Sequence, residues 1–297
     1  MSKYTVYRND IKFKKHRHID PKCADWTDDI KTAFFKYNTD SIDYRIQECI
    51  QEKLETLDLS HMTQECFEDF ISHPKFREIR DKVQHIFAQS SNLSIIPNLH
   101  NFTNLLTLDL SNNRLTKINT LPPSLEELIL NNNKLTSLTY NLPNLKRLKI
   151  TDNKITDIKL SNSLESAYLN NNPINNISQL DNIKYLNISN TDIKYIHSYP
   201  KLEILDCYYT KINSIPKMNR LKELNCSYSS ISDIKELKHL EALEMINTNI
   251  DKLHYIHSLC TVKYHSNDKF KISNQYQLVS IKKNKKDINE IIFEVSS

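Results

Sequence analysis

Leu125-Glu126-Glu127-Leu128-Ile129-Leu130-Asn131-Asn132-Asn133-Lys134-Leu135-Thr136-Ser137-Leu138 is one copy of the template L-x-x-L-x-L-x-x-N-x-L-x-x-L. Copies begin at Val83, Leu105, Leu125, Leu145, Leu164, Ile183, Leu202, Leu221, Leu240 and Leu259, with steps of 20, 20 and then 19 residues from Leu105 onward. A looser copy, Leu54-Glu55-Thr56-Leu57-Asp58-Leu59, precedes them, so the count is about eleven. Self-similarity at this period predicts a solenoid, in which each repeat is one structural unit stacked on the next.

Within a copy, alternation around Leu128 predicts a short strand with Leu128 and Leu130 turned inward. Three residues later, Asn133 can bond backbone groups as the chain leaves the strand. Leu135 and Leu138 return beneath the strand and Leu142 closes the loop. Nineteen residues leave no room for a long helix, so the outer side is expected to be mostly extended or 3-10. An isolated repeat buries too little apolar surface to offset the entropy of ordering it, so the stack is the folding unit. The turn position reads Asn113, Asn133, Asn153, Asn172, Thr191, Thr210, Ser229, Thr248 and Asn267. This is read as a structural ladder, softened in its second half where hydroxyls replace carboxamides.

Composition narrows the function. Glycine is absent from the 297 residues, where average usage of about 7% would supply roughly 20. Phosphate-binding loops, dinucleotide fingerprints, nucleophile elbows and calcium loops all need glycine at a sharp turn or a close approach. None is present in standard form, and asparagine is expected to take the tight, positive-φ turns instead. A formal charge of +4 is too small to imply a strong field for polyanions. No apolar run approaches the ~18 residues of a membrane span, and no signal peptide is visible. A cytoplasmic protein, with neither nucleic acid nor membrane as partner, is the expectation.

No catalytic constellation, metal site or cofactor motif can be assembled. Cys207 and Cys226 occupy the same inward position in adjacent repeats, where two reduced core thiols are expected. His16, His18 and Cys23 lack zinc-site spacing and fall in a basic arm with Lys12, Lys14, Lys15 and Arg17.

The broken period marks the ends. Residues 1–53 are read as a helical N-terminal cap, with Asp28–Tyr37 one helix capped by Thr27 and an apolar stripe from Ile42 to Leu54 a second. Residues 54–270 form the solenoid and 271–297 a C-terminal cap of mixed structure. Between Leu54 and Val83, Thr63–Ser72 carries Phe67, Phe70 and Ile71 at helical spacing. A strand starting at Phe76 is the alternative register to one starting at Val83, which completes its template with Ile86, Ala88, Leu93 and Ile96. Lys282, Lys283, Lys285 and Lys286 read as a solvated basic loop.

The repeats resemble the leucine-rich repeat superfamily. Leu121-Pro122-Pro123-Ser124-Leu125-Glu126-Glu127-Leu128 and Leu142-Pro143-Asn144-Leu145-Lys146-Arg147-Leu148 look like the short repeats of bacterial type III secretion effectors, and similar repeats occur in large DNA viruses. The resemblance implies an α/β solenoid with a parallel sheet on its concave face and a helical segment before the first strand. It also implies a monomer that binds a protein partner, in the host cytoplasm if the chain is such an effector. Some of these effectors carry a C-terminal ubiquitin-ligase domain. The residues after Phe270 are too few for one, and Cys23-Ala24-Asp25 places its C-x-D motif at the wrong end. An adaptor for a ubiquitin-ligase machinery, docking through the N-terminal region, is the alternative reading.

The partner face can be read in columns, because residues flanking the inward positions point outward from the sheet. The central column runs Asp58, Phe87, Asp109, Ile129, Lys149, Tyr168, Asn187, Asp206, Asn225, Glu244 and Lys263. Neighbouring columns add Tyr185, Ile204, Tyr208, Tyr209 and Tyr228. Tyrosine offers much contact area at low entropic cost and is enriched in binding hot spots. Ile129, Tyr168, Tyr185, Ile204, Tyr208, Tyr209 and Tyr228 are therefore the candidate partner-binding residues.

Overall fold

The computed structural model of the protein describes residues 55–234, 236–283 and 287–293. Repetition is visible in the backbone. Eleven short parallel strands, one per turn of chain, lie side by side: β1 (Thr56–Asp58), β2 (His85–Phe87), β3 (Thr107–Asp109), β4 (Glu127–Ile129), β6 (Arg147–Lys149), β8 (Ser166–Tyr168), β9 (Tyr185–Asn187), β10 (Ile204–Asp206), β11 (Glu223–Asn225), β12 (Ala242–Glu244) and β14 (Thr261–His265). Pairing keeps one register throughout, so Leu57, Ile86, Leu108, Leu128, Leu148, Ala167, Leu186, Leu205, Leu224, Leu243 and Val262 form a single inward row. All of them are buried, and the core is one continuous apolar spine under the sheet. A one-residue slip would put this row in water, which is why the register persists.

The outer side differs between the first turn and the rest. Here α1 (Gln64–Ser72) begins at Thr63, whose hydroxyl accepts from Cys66 N–H at 3.2 Å, and buries Cys66, Phe67 and Phe70. A 3-10 turn (Pro74–Phe76) and α2 (Arg77–Arg80) follow, with Phe76 and Ile79 buried. Phe76 thus packs from a helical turn, and the strand falls in the Val83 register. Beyond it, the outer side is extended or turn, and among the described residues the 3-10 helix stays confined to that first turn. Two small parallel pairs hold it, β5 (Ser137–Leu138) with β7 (Asp157–Ile158), and β13 (Lys252–Leu253) with β15 (Lys271–Ile272). Three-residue turns close most coils before the next strand, with Leu145 N–H donating to Leu142 O and Leu202 N–H to Tyr199 O. Tyr199 fills this core column and is fully buried.

At the C-terminal end the cap is a β-hairpin, where the sequence suggested mixed structure. β17 (Ile288–Phe293) pairs antiparallel with β14, and β16 (Leu278–Lys283) pairs antiparallel with β17. Ile291 and Phe293 are buried over the last repeat. Reversing direction is what lets a short segment cover the final parallel strand without another outer coil. The expected helices at Asp28–Tyr37 and Ile42–Leu54, together with His16, His18 and Cys23, lie outside the described residues.

Candidate protein-binding face

Side-chain hydrogen bonds at the turn position set up the face. Asn113 accepts from the Ser91 and Leu93 amides, both at 3.0 Å, and donates to Ala88 O and Leu110 O. Asn133, Asn153 and Asn172 repeat this, each accepting one amide of the preceding coil and donating to carbonyls of both coils. Thr191, Thr210, Ser229 and Thr248 instead donate back within their own coil, to Ile188 O, Cys207 O, Cys226 O and Met245 O. A hydroxyl has one proton and short reach, so it cannot also staple the neighbouring coil. Asn267 departs from the expected ladder. It is exposed, and Asp268 holds the turn, accepting from His265 N–H at 2.7 Å. The lengthened strand β14 carries the backbone past the point where Asn267 could turn inward.

One column further out, the backbone enters the left-handed region in most coils. Ser90, Asn112, Asn132, Asp152, Asn171, Asn190 and Asn247 all have φ between 51° and 57° there. Two members of the same column are Tyr209 at φ 52° and Tyr228 at φ 57°. Asparagine tolerates this well; a bulky side chain is strained in it. Alignment of that column in the sequence shows which residues take asparagine's place, so the signal was available.

The seven candidate residues separate into groups. Tyr168 and Tyr185, half-buried on β8 and β9, pack with tilted rings whose centroids are 4.5 Å apart. Ile204 is the register partner of Tyr185 on β10. Tyr208, Tyr209 and Tyr228 cluster just past the strand ends, exposed at 40%, 59% and 42%. Tyr208 meets Tyr228 edge-on at 5.4 Å and Tyr209 at 6.1 Å. Tyr209 and Tyr228 also line a groove of about 530 Å³ with Pro173, Asn190 and Lys211. Ile129 stands apart, two strands from Tyr168. Between them Lys149 lies 5.9 Å above the Tyr168 ring and 3.7 Å from Glu127.

Asp206 joins the two tyrosine groups, and it was absent from the candidate set. Its Oδ1 accepts the Tyr208 N–H at 3.1 Å and its Oδ2 accepts from Asn187 Nδ2 at 3.2 Å. Burial holds its carboxyl above the usual carboxylate range; the Tyr208 N–H works against that shift and nearby Glu244 adds to it. Burial likewise raises the Tyr185 phenol, with smaller contributions from Tyr168 and Asp206. Beneath this region Cys207 and Cys226 are buried free thiols, donating to Asn225 O and Glu244 O. Burial pushes the Cys226 thiol up to about 12 and that of Cys207 well above its ordinary value. Low-dielectric surroundings disfavour the thiolate, so neither is a nucleophile. Among the described residues, no group of three His, Cys, Asp or Glu could hold a metal ion.

No protein-family model matches the sequence, and no curated protein matches it. Solved structures do. YopM, a leucine-rich effector protein from Yersinia pestis, superposes with a TM-score of 0.64 at 20% identity, over 92% of this chain and 85% of that one. The leucine-rich repeat domain of APL1B gives 0.59 at 15% identity, covering 86% and 75%. The protein has the leucine-rich-repeat fold. The leucine-rich-repeat ectodomain of the plant receptor kinase GASSHO1/SCHENGEN3 from Arabidopsis thaliana, solved in complex with CASPARIAN STRIP INTEGRITY FACTOR 2, gives 0.54 at 20% identity over 70% of this chain. The chain spans 29% of that ectodomain and 47% of YopM from Yersinia enterocolitica WA-314. Among the described residues no helix is long and apolar enough to cross a membrane.

Proposed function

We propose that this leucine-rich-repeat chain is a non-enzymatic binding module that grips one protein partner on the open face of its sheet. Contact runs along the strip from Tyr168 and Tyr185 through Ile204 to Tyr208, Tyr209 and Tyr228. The observation that carries this reading is the left-handed backbone of Tyr209 and Tyr228. Strain at a position that asparagine fills in most other coils points to a use for the ring. Five exposed or half-buried aromatic rings on contiguous coils match the composition of interface hot spots. The likeness to a leucine-rich effector protein supports a role as a host-directed effector, acting in the cytoplasm.

Changing Tyr185, Tyr208 and Tyr228 together to Ala should weaken capture of the native partner about a hundredfold or more, with circular dichroism unchanged. Tyr195→Ala is the control, because Tyr195 is 73% exposed and lies outside the strands. Equal capture by the triple variant and the parent would refute the strip.

A further inference from the structure

Asp206 carries a charge that its structural task does not require. In β9 and β11 the same column position is Asn187 and Asn225, and their Oδ1 atoms accept the amide two residues on at 2.9 Å and 3.1 Å. A neutral carboxamide therefore closes this turn as well as Asp206 does. The other ionic members of the column nearby are matched. Lys149 pairs with Glu127, and Glu244 pairs with Lys263 at 2.5 Å. Among the described residues no cation pairs with Asp206. Lys149 and Lys263 are each three strands away in the sheet order, about 14 Å at ~4.8 Å per strand, beyond effective reach at physiological salt.

Around Asp206 the local balance is anionic despite the chain's positive total. Asp206, exposed Glu223 and Glu244 face the single ammonium of Lys263 on this stretch of sheet. Two tyrosines neighbour the carboxylate. Tyr208 follows two residues on, just past the end of the same strand, edge-on to Tyr228. Tyr185 is on the neighbouring strand, near enough to feel the Asp206 charge. The chain already shows how such a set is filled. Lys149 is held between the Tyr168 ring and the Glu127 carboxylate, an ammonium above a π face with an anion beside it. Asp206 with Tyr185 and Tyr208 offers the same chemistry without the cation.

We infer that Asp206, Tyr185 and Tyr208 form a subsite for an arginine side chain presented by the bound protein segment. The planar guanidinium bonds the carboxylate and lays its face against a tyrosine ring, a combination that suits arginine better than lysine. This subsite rests on the proposed binding face and supplies its electrostatic specificity.

N-acetyl-L-arginine amide titrated into the full chain, with N-acetyl-L-citrulline amide as the neutral isostere, tests it by nuclear magnetic resonance. Saturable millimolar shifts centred on Tyr185, Asp206 and Tyr208 are expected with arginine, and none of comparable size with citrulline. Asp206→Asn keeps an acceptor for the Tyr208 amide and should weaken arginine binding about tenfold. Equal shifts from both probes, shifts centred elsewhere, or arginine binding untouched by Asp206→Asn would overturn the subsite. If the subsite falls while the triple tyrosine variant still loses the native partner, the binding face stands without it. If both fail, the face itself is wrong.

Discussion

Tyr209 and Tyr228 sit in a column that the chain fills mostly with asparagine, at Asn112, Asn132, Asn171, Asn190 and Asn247, and elsewhere with His61, Ser90 and Asp152. A left-handed backbone costs a bulky residue of order 1 kcal/mol more than asparagine, whose short side chain bonds locally. Tyr209→Asn and Tyr228→Asn should therefore each stabilise the fold by about 1 kcal/mol in urea denaturation, and each should weaken partner binding. A loss of stability from either would mean the rings contribute packing that outweighs the strain. Opposite signs on stability and binding are the mark of a residue kept for its surface. At this scale the sequence was only partly legible. It named the tyrosines, because they are large and aromatic, and it assigned the positive-φ turns to asparagine in general terms. Missing was the link between the two, since a backbone dihedral is a property of a position and appears only when the column is aligned.

The elements were more legible in the middle of the chain than at its end. Alternation around an apolar centre predicts every strand of the parallel sheet, and Phe67, Phe70 and Ile71 at helical spacing predict α1. After Phe270 the template stops, and an apolar run such as Ile291-Ile292-Phe293 does not reveal whether it forms a hairpin or a helix. The hairpin is tied down through Tyr276. Its ring stacks on Phe293 with centroids 4.2 Å apart, its hydroxyl donates to His254 O at 2.8 Å, and it accepts from Ile256 N–H at 2.9 Å. Burial pushes this phenol up to about 12, so it stays a neutral donor at physiological pH. Tyr276→Phe keeps the stack and removes both hydrogen bonds. It should cost about 1–2 kcal/mol in denaturant unfolding. An unchanged midpoint would show that ring packing alone holds the cap.

Across the whole molecule, the stapling of coil to coil is uneven. Asn113, Asn133, Asn153 and Asn172 fix the amides of Leu93, Leu115, Leu135 and Ile155 from the following coil, all at 3.0 Å. The amides of Ile174, Ile193 and Ile212 meet no side-chain acceptor from the following coil among the described residues, because Thr191, Thr210 and Ser229 turn their hydroxyls inward. The tyrosine strip and the strained turns fall in this same half. Repeat proteins share stability mainly between neighbours, so a weaker junction opens locally without unfolding the rest. Amide hydrogen exchange should show it: peptides spanning 174–231 should lose protection about tenfold faster than those spanning 93–155, one missing bond of ~1.4 kcal/mol being enough. Adding the partner should restore protection in the weaker half first, since binding there orders what the ladder leaves loose. Uniform exchange along the stack would instead mean that the apolar spine, continuous through both halves, sets the local stability and that the asparagine staples add little to it.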